Sequence, residues 1–107
     1  MKPIRWMRNS REDLKGFPEG ARGALGHGLH LVQCGDRPRN EKPLHGDLSG
    51  ISELVADSRD GNTYRSVYTV KLDPFVYVLH CFEKKAKSGV ATPKRDLDVI
   101  RRRLKEA

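Results

Sequence analysis

The sequence predicts an α+β domain in which helices pack on one face of an antiparallel sheet, in the order β-α-α-β-β-β-α. Three observations carry that prediction. Between residues 51 and 82 lie three strand-like runs separated by short turns, as in neighbouring antiparallel strands. Ala21, Leu25, Leu29 and Val32 fall on one face of a helix. Leu97, Ile100 and Leu104 repeat that spacing near the C-terminus, with the arginines largely outward.

Taken in order, residues 4–7 form a short apolar first strand. Ser10, with an acid three positions on, offers a capping hydroxyl for a short helix ending near Gly16. Pro18 opens a second helix, in which Gly23, Gly26 and Gly28 either weaken the helix or permit close packing. Residues 35–49, rich in Gly, Pro, Asp and Asn, read as a surface loop. Strands over 51–56, 64–72 and 75–82 follow, joined by turns at Gly61 and Asp73-Pro74. Thr92-Pro93, a capping hydroxyl with proline in the first turn, announces the last helix.

The chain of 107 residues, 36% hydrophobic and 33% charged, suits one domain over 1–107 with a modest core. Its formal charge is +7 and its pI about 9.7, which favours a polyanionic partner such as nucleic acid, ribosome or an acidic protein. From residue 84 onward nine cations face three acids, so +6 of that excess sits at the C-terminal end. Cys34 and Cys81 lack metal-ribbon spacing and set up no disulfide framework, which points to a reducing cytoplasm. The N-terminus lacks the apolar core of a signal peptide, and no apolar run spans a membrane.

Side chains alternate along a strand. Arg65, Val67 and Thr69 share one face of theirs, and on the next strand Val76, Val78, His80, Phe82 and Lys84 alternate with Tyr77, Leu79, Cys81, Glu83 and Lys85. Convergence of Arg65 with a lysine suits a phosphate, Arg as a bidentate fork and Lys as a compact charge. With equal weight, Arg65 pairs across the hairpin with Glu53 or Asp57 and the lysines are solvated. His27, His30 and Cys34 share a helical face opposite the apolar one, where a polar surface is the better reading than a metal site. Gly-His-Gly and His-Gly-Asp are too weak for a phosphate cradle. Glu12, Asp13, Asp57 and Asp60 read as cap and turn residues, and Cys81 as a small core residue.

Read together, "DLKGFPEGARGALGHGLHLVQCG", "KPLHGDLSGISEL", "YRSVY" and "YVLHCFEKKAKSGVATP" resemble, in order and spacing, the RelE/HigB superfamily of toxins from type II toxin-antitoxin systems. The resemblance is to its phage-derived HigB-like branch and spans essentially the whole chain. It implies a small RelE-like fold and a cytoplasmic, ribosome-dependent endoribonuclease that cleaves mRNA, needs no metal or other cofactor, and is restrained by a cognate helix-turn-helix antitoxin. By motif, Arg65 and the pair Lys84-Lys85 match the positions around the scissile phosphate. Lys42 and His45 of "KPLHG" match a loop that reads H-P-L-K-G in some relatives, so which of the two reaches RNA stays open. Some relatives end in a catalytic tyrosine or histidine; here the end is "RRRLKEA".

The implied chemistry is attack of a ribose 2′-OH on the adjacent phosphate, giving a 2′,3′-cyclic phosphate and a 5′-hydroxyl. It requires charge stabilisation, a proton acceptor and a proton donor. Arg65 is the candidate for the first. Lys84, Lys85, His80 and His45 are candidates for the others, with His80 in mid-strand equally a structural histidine. Lys87, Lys94, Arg95, Arg101 and Arg102 would dock the last helix on ribosomal RNA phosphates. Two other readings stand beside this one: a ParE-like toxin acting on gyrase, and a nucleic-acid or ribosome-binding module without catalysis.

Overall fold

The computed structural model describes residues 1–85 and 92–107. Strand β1 (Ile4–Trp6) leads to helices α1 (Ser10–Lys15) and α2 (Glu19–Gln33), then β2 (Glu41–Pro43), a 3-10 turn (Gly46–Leu48), β3 (Ile51–Asp57), β4 (Thr63–Thr69), β5 (Val76–Lys84) and α3 (Lys94–Glu106). The five strands form one sheet in the order β1-β5-β4-β3-β2. All pairings are antiparallel except β1 with β5, which is parallel. The α+β class and the order of the main elements match the expectation from sequence. The largest departures are the edge strand, the disposition of α3 and the face parity of β5.

Strand β2 lies inside the stretch read as a loop. It is three residues long and pairs Lys42 with Glu53 and Pro43 with Ser52. A proline lacks the N–H that a central strand needs, so an edge is where this segment fits. So short a piece leaves no alternation to read.

The helices do not all pack on one face. Helices α1 and α2 cover one side of the sheet through Leu14, Leu25, Leu29 and Val32 against Leu54, Tyr68, Val76 and Val78. Helix α3 covers the other, where Ile100, Leu97 and Leu104 meet Ile51, Val67, Leu79 and Phe82. Every residue of β4 is buried as a result. The apolar stripe of α3 requires a second apolar surface, and the outward-parity residues of β3, β4 and β5 supply it.

The strict alternation expected along β5 breaks at a bulge. Val67 pairs with His80 but Tyr68 pairs with Val78, so Leu79 is an extra residue on the β5 side. Val76 and Val78 therefore face α1 and α2, whereas Leu79, His80 and Phe82 face α3. Beyond the bulge, Phe82 stands opposite Arg65 and Lys84 opposite Thr63, on the α3 side.

Two expected capping hydroxyls serve tertiary contacts instead. Ser10 is fully buried and donates to the carbonyl of Val78 at 3.2 Å, while Asn9 occupies the cap position. Thr92 donates to Glu53, and Pro93 precedes the first turn of α3. Of the helix α2 glycines, Gly28 has a packing reason: a Cβ there would lie 3.0 Å from Cδ1 of the fully buried Leu54. A Cβ at Gly23 meets nothing within 4 Å. Gly23→Ala should therefore raise stability by about 0.5–1 kcal/mol through reduced backbone entropy. Gly28→Ala should forgo that gain or reverse it, as read from urea midpoints; equal stabilisation by both would contradict the close packing on Leu54.

Candidate functional site

On the α3 side of the sheet, β2, β3 and β4 bring Lys42, Glu53 and Arg65 into adjoining rows, because Lys42 pairs with Glu53 and Glu53 with Val67 of the Arg65 face. Beside them opens a cavity of about 320 Å³ lined by Lys42, His45, Leu44, Leu48, Glu53, Arg65, Thr92, Leu97 and Arg101. Its buried polar end is a connected group. Arg65 Nη1 donates to Glu53 Oε1 at 2.6 Å, and Thr92 Oγ1 donates to Glu53 Oε2 at 2.9 Å. Arg65 is 3% exposed and Glu53 4%. Each ion in such a pair is strongly desolvated, so neither is stable there without the other. Arg65 Nε is buried and has no acceptor among the described residues.

Lys84 ends β5 on this same side and is buried. Burial lowers its pKa, with the positive charges of Arg65 and Lys42 acting in the same direction and Glu53 opposing. Lys85 follows in the exposed chain. The structure thus brings together Lys42, His45, Arg65, Lys84 and Arg101 around one cavity or its immediate field, and Arg65 is at once part of that group and the cross-hairpin partner of Glu53.

His80 lies elsewhere on this side, under α3. Its Nε2 is 2.8 Å from Asp96 Oδ1, its Nδ1 3.5 Å from Arg103 Nη1, and its ring stacks on Phe82 with centroids 4.9 Å apart. Arg103 also donates to the Leu79 carbonyl at 3.0 Å, so the bulge, His80 and α3 are tied together. Burial lowers the His80 pKa, outweighing the pull of Asp96 in the other direction. The neutral ring with its proton on Nε2 satisfies both neighbours.

The other predicted cations are dispersed. Lys94 pairs with Asp98 at 3.0 Å, and Arg95 is highly exposed and 3.9 Å from Asp96. Arg102 is exposed beside a groove shared with Arg8, Asn9, Arg103 and Glu106, away from the cavity. Lys87 lies outside the described residues. His27 and His30 are exposed on α2 and Cys34 is exposed just beyond its end, with Cys34 Sγ 3.8 Å from His30 Nε2. Among the described residues no group of three or more His, Cys, Asp or Glu is arranged to hold a metal ion, and no helix is long and apolar enough to cross a membrane.

At the level of sequence Glu53 was named only as one possible partner of Arg65 and Thr92 only as a cap, neither as a member of this site. Glu53 carried a usable signal, since it alternates with Ile51 and Val55 on an inward row where a carboxylate needs a partner. Thr92 carried none, because its cap-like position before Pro93 explains it locally.

A family described as phage-derived protein Gp49-like matches residues 12–105. The chain belongs to this family. Its fold is also that of a chain in the crystal structure of the toxin-antitoxin complex RelBE2 from Mycobacterium tuberculosis, with a TM-score of 0.53 and 21% identity over 78% of this chain and 98% of that one. No curated protein matches significantly. The phage-derived part of the resemblance therefore holds at the level of family, and its RelE-like part at the level of fold.

The buried neutral His80 gives a pH signature. Its pKa is lowered on folding, so the unfolded chain binds the proton more readily, and stability should fall as pH drops below about 6.5. Urea midpoints between pH 8 and 5.5 should decline for the wild type and flatten for His80→Gln; identical slopes would show that His80 is not desolvated.

Proposed function

We propose that the protein is the toxin of a type II toxin-antitoxin system that cleaves mRNA on the ribosome by 2′-OH attack on the adjacent phosphate. Family membership and fold support the toxin reading, and the RelBE2 neighbour, a toxin-antitoxin complex by its title, supports a cognate antitoxin, which we take to be a helix-turn-helix protein. The observation that carries the chemistry is the convergence of Arg65 and Lys84 on one side of the sheet beside an open cavity.

In this reading Lys84, with its pKa lowered, exchanges a proton nearer neutrality than a solvated lysine, and Arg65 supplies positive charge where the phosphorane forms. Lys85 and Lys42 hold neighbouring phosphates, and His45 is available at the rim for proton transfer. His80 acts as the anchor between β5 and α3, since both of its nitrogens face protein groups. Ribosomal positioning of the strand would supply much of the rate enhancement, because orientation alone is worth several kcal/mol. Action on ribosomes places the protein in the cytoplasm.

One feature favours a second reading. Glu53 already occupies one nitrogen of Arg65, which lowers the charge available to an incoming phosphate and suits a ribosome- or RNA-binding module without catalysis.

Primer extension on mRNA in a translating extract separates the two. Wild-type protein should produce ribosome-dependent cuts, and Lys84→Met/Lys85→Met should reduce them by about 10²–10³-fold, with its urea midpoint monitored to verify folding. Arg65→Gln, which leaves Glu53 without its partner, should do the same at a temperature where its urea midpoint shows it still folded. Ribosome binding with intact mRNA would establish the module instead, and inhibition of gyrase supercoiling without RNA cleavage would establish a ParE-like toxin.

A further inference from the structure

Arg101 was expected to meet RNA phosphates, but three of its five N–H donors are already committed. Its Nε and Nη2 donate to the two carboxylate oxygens of Asp47 at 2.7 and 3.2 Å, and its Nη1 donates to Asp98 at 3.2 Å. All three bonds use the in-plane edges of the guanidinium, and two carboxylates balance its charge. What such a group still offers is its flat face and one N–H on each terminal nitrogen. Arg101 lines the same cavity as Leu44, Leu48 and Leu97, whose walls are apolar, while Glu53 and Thr92 stand at the buried polar end.

Lys42, His45 and Arg65 also line this cavity, but its aliphatic walls of Leu44, Leu48 and Leu97 beside Arg101 are poorly matched to a phosphate. They are well matched to a flat heteroaromatic ring with a polar edge. Lys42 lines the cavity and is exposed, so a polyanionic strand held by it would pass the mouth of the cavity, with Arg65 at the buried end.

We propose that the cavity is a nucleobase subsite: one unstacked base of the bound RNA enters it, stacks on Arg101 and the leucines, and directs its polar edge toward Glu53 and Thr92. The identity of the strand as RNA rests on the proposed function; the preference of the cavity for a base over a phosphate rests on its lining. Because a stacked base adds affinity that depends on ring shape and edge chemistry, these residues would set the base preference of cleavage.

Methyl NMR on the full chain tests this with the four ribonucleoside 3′-monophosphates, and with ribose 5-phosphate as a probe that lacks a base. At least one nucleotide should shift the methyls of Leu44, Leu48 and Leu97, and ribose 5-phosphate should not. Arg101→Lys keeps the charge but loses the plane, and should weaken nucleotide binding about tenfold. Leu44→Trp, which fills the cavity from a partly buried position, should abolish it. Equal shifts with ribose 5-phosphate, no shifts with any nucleotide, or unchanged affinity in Arg101→Lys would overturn the subsite. Nucleotide binding by a protein that cuts no RNA would uphold the subsite and sink the nuclease. Cleavage whose base preference survives Leu44→Trp would do the reverse.

Discussion

The ion pair between Glu53 and Arg65 is the constraint around which the α3 side of the molecule is organised. Two opposite charges, each nearly inaccessible, sit in the middle of a sheet covered on both faces. They persist because Glu53 is satisfied twice, by Arg65 and by Thr92. Thr92 lies just before α3, so this carboxylate also fixes where the last helix begins. Asp96 one turn later then meets His80, and Ile100 closes the second core.

The β5 bulge is the second determinant. Without the extra residue at Leu79, His80 and Phe82 would follow Val78 to the α1 and α2 side, and Lys84 would leave the Arg65 face. Local bulges of this kind re-aim side chains near functional sites. Here the bulge joins two tasks, since Arg103 and His80 also hold α3 to it. The reading of this side as a nucleic-acid surface draws on cations that the sheet brings together, rather than on those of α3, where Lys94 and Arg101 pair with Asp98 and Asp47 and Arg103 bonds to Leu79, His80 and Asn9.

Much of the fold was legible in the sequence because its signals were local. The stripes of α2 and α3, the hairpin turns between β3, β4 and β5, and the alternation around Arg65 all rest on spacing within about a dozen residues. The parity of β5 was not legible, since a bulge of one ordinary leucine has no compositional mark. Nor was the side taken by α3, because an amphipathic stripe says that a helix is covered and not by which face of a sheet. At the site, the placement of Arg65 and Lys84 on one side was legible from charge at strand positions, and the capture of Arg65 by Glu53 was one of two open outcomes. The cavity itself was not, because its walls come from β2, the 3-10 turn and α3, which are distant in sequence.

The measurement that bears most directly on this account is a double-mutant cycle on Glu53→Leu and Arg65→Leu, read by urea denaturation. If the pair is buried and mutually dependent, each single substitution should cost about 3–5 kcal/mol, and the double variant should recover most of that loss. Small, additive losses would mean that the two charges are solvated and independent, and that the α3 side is organised by something else.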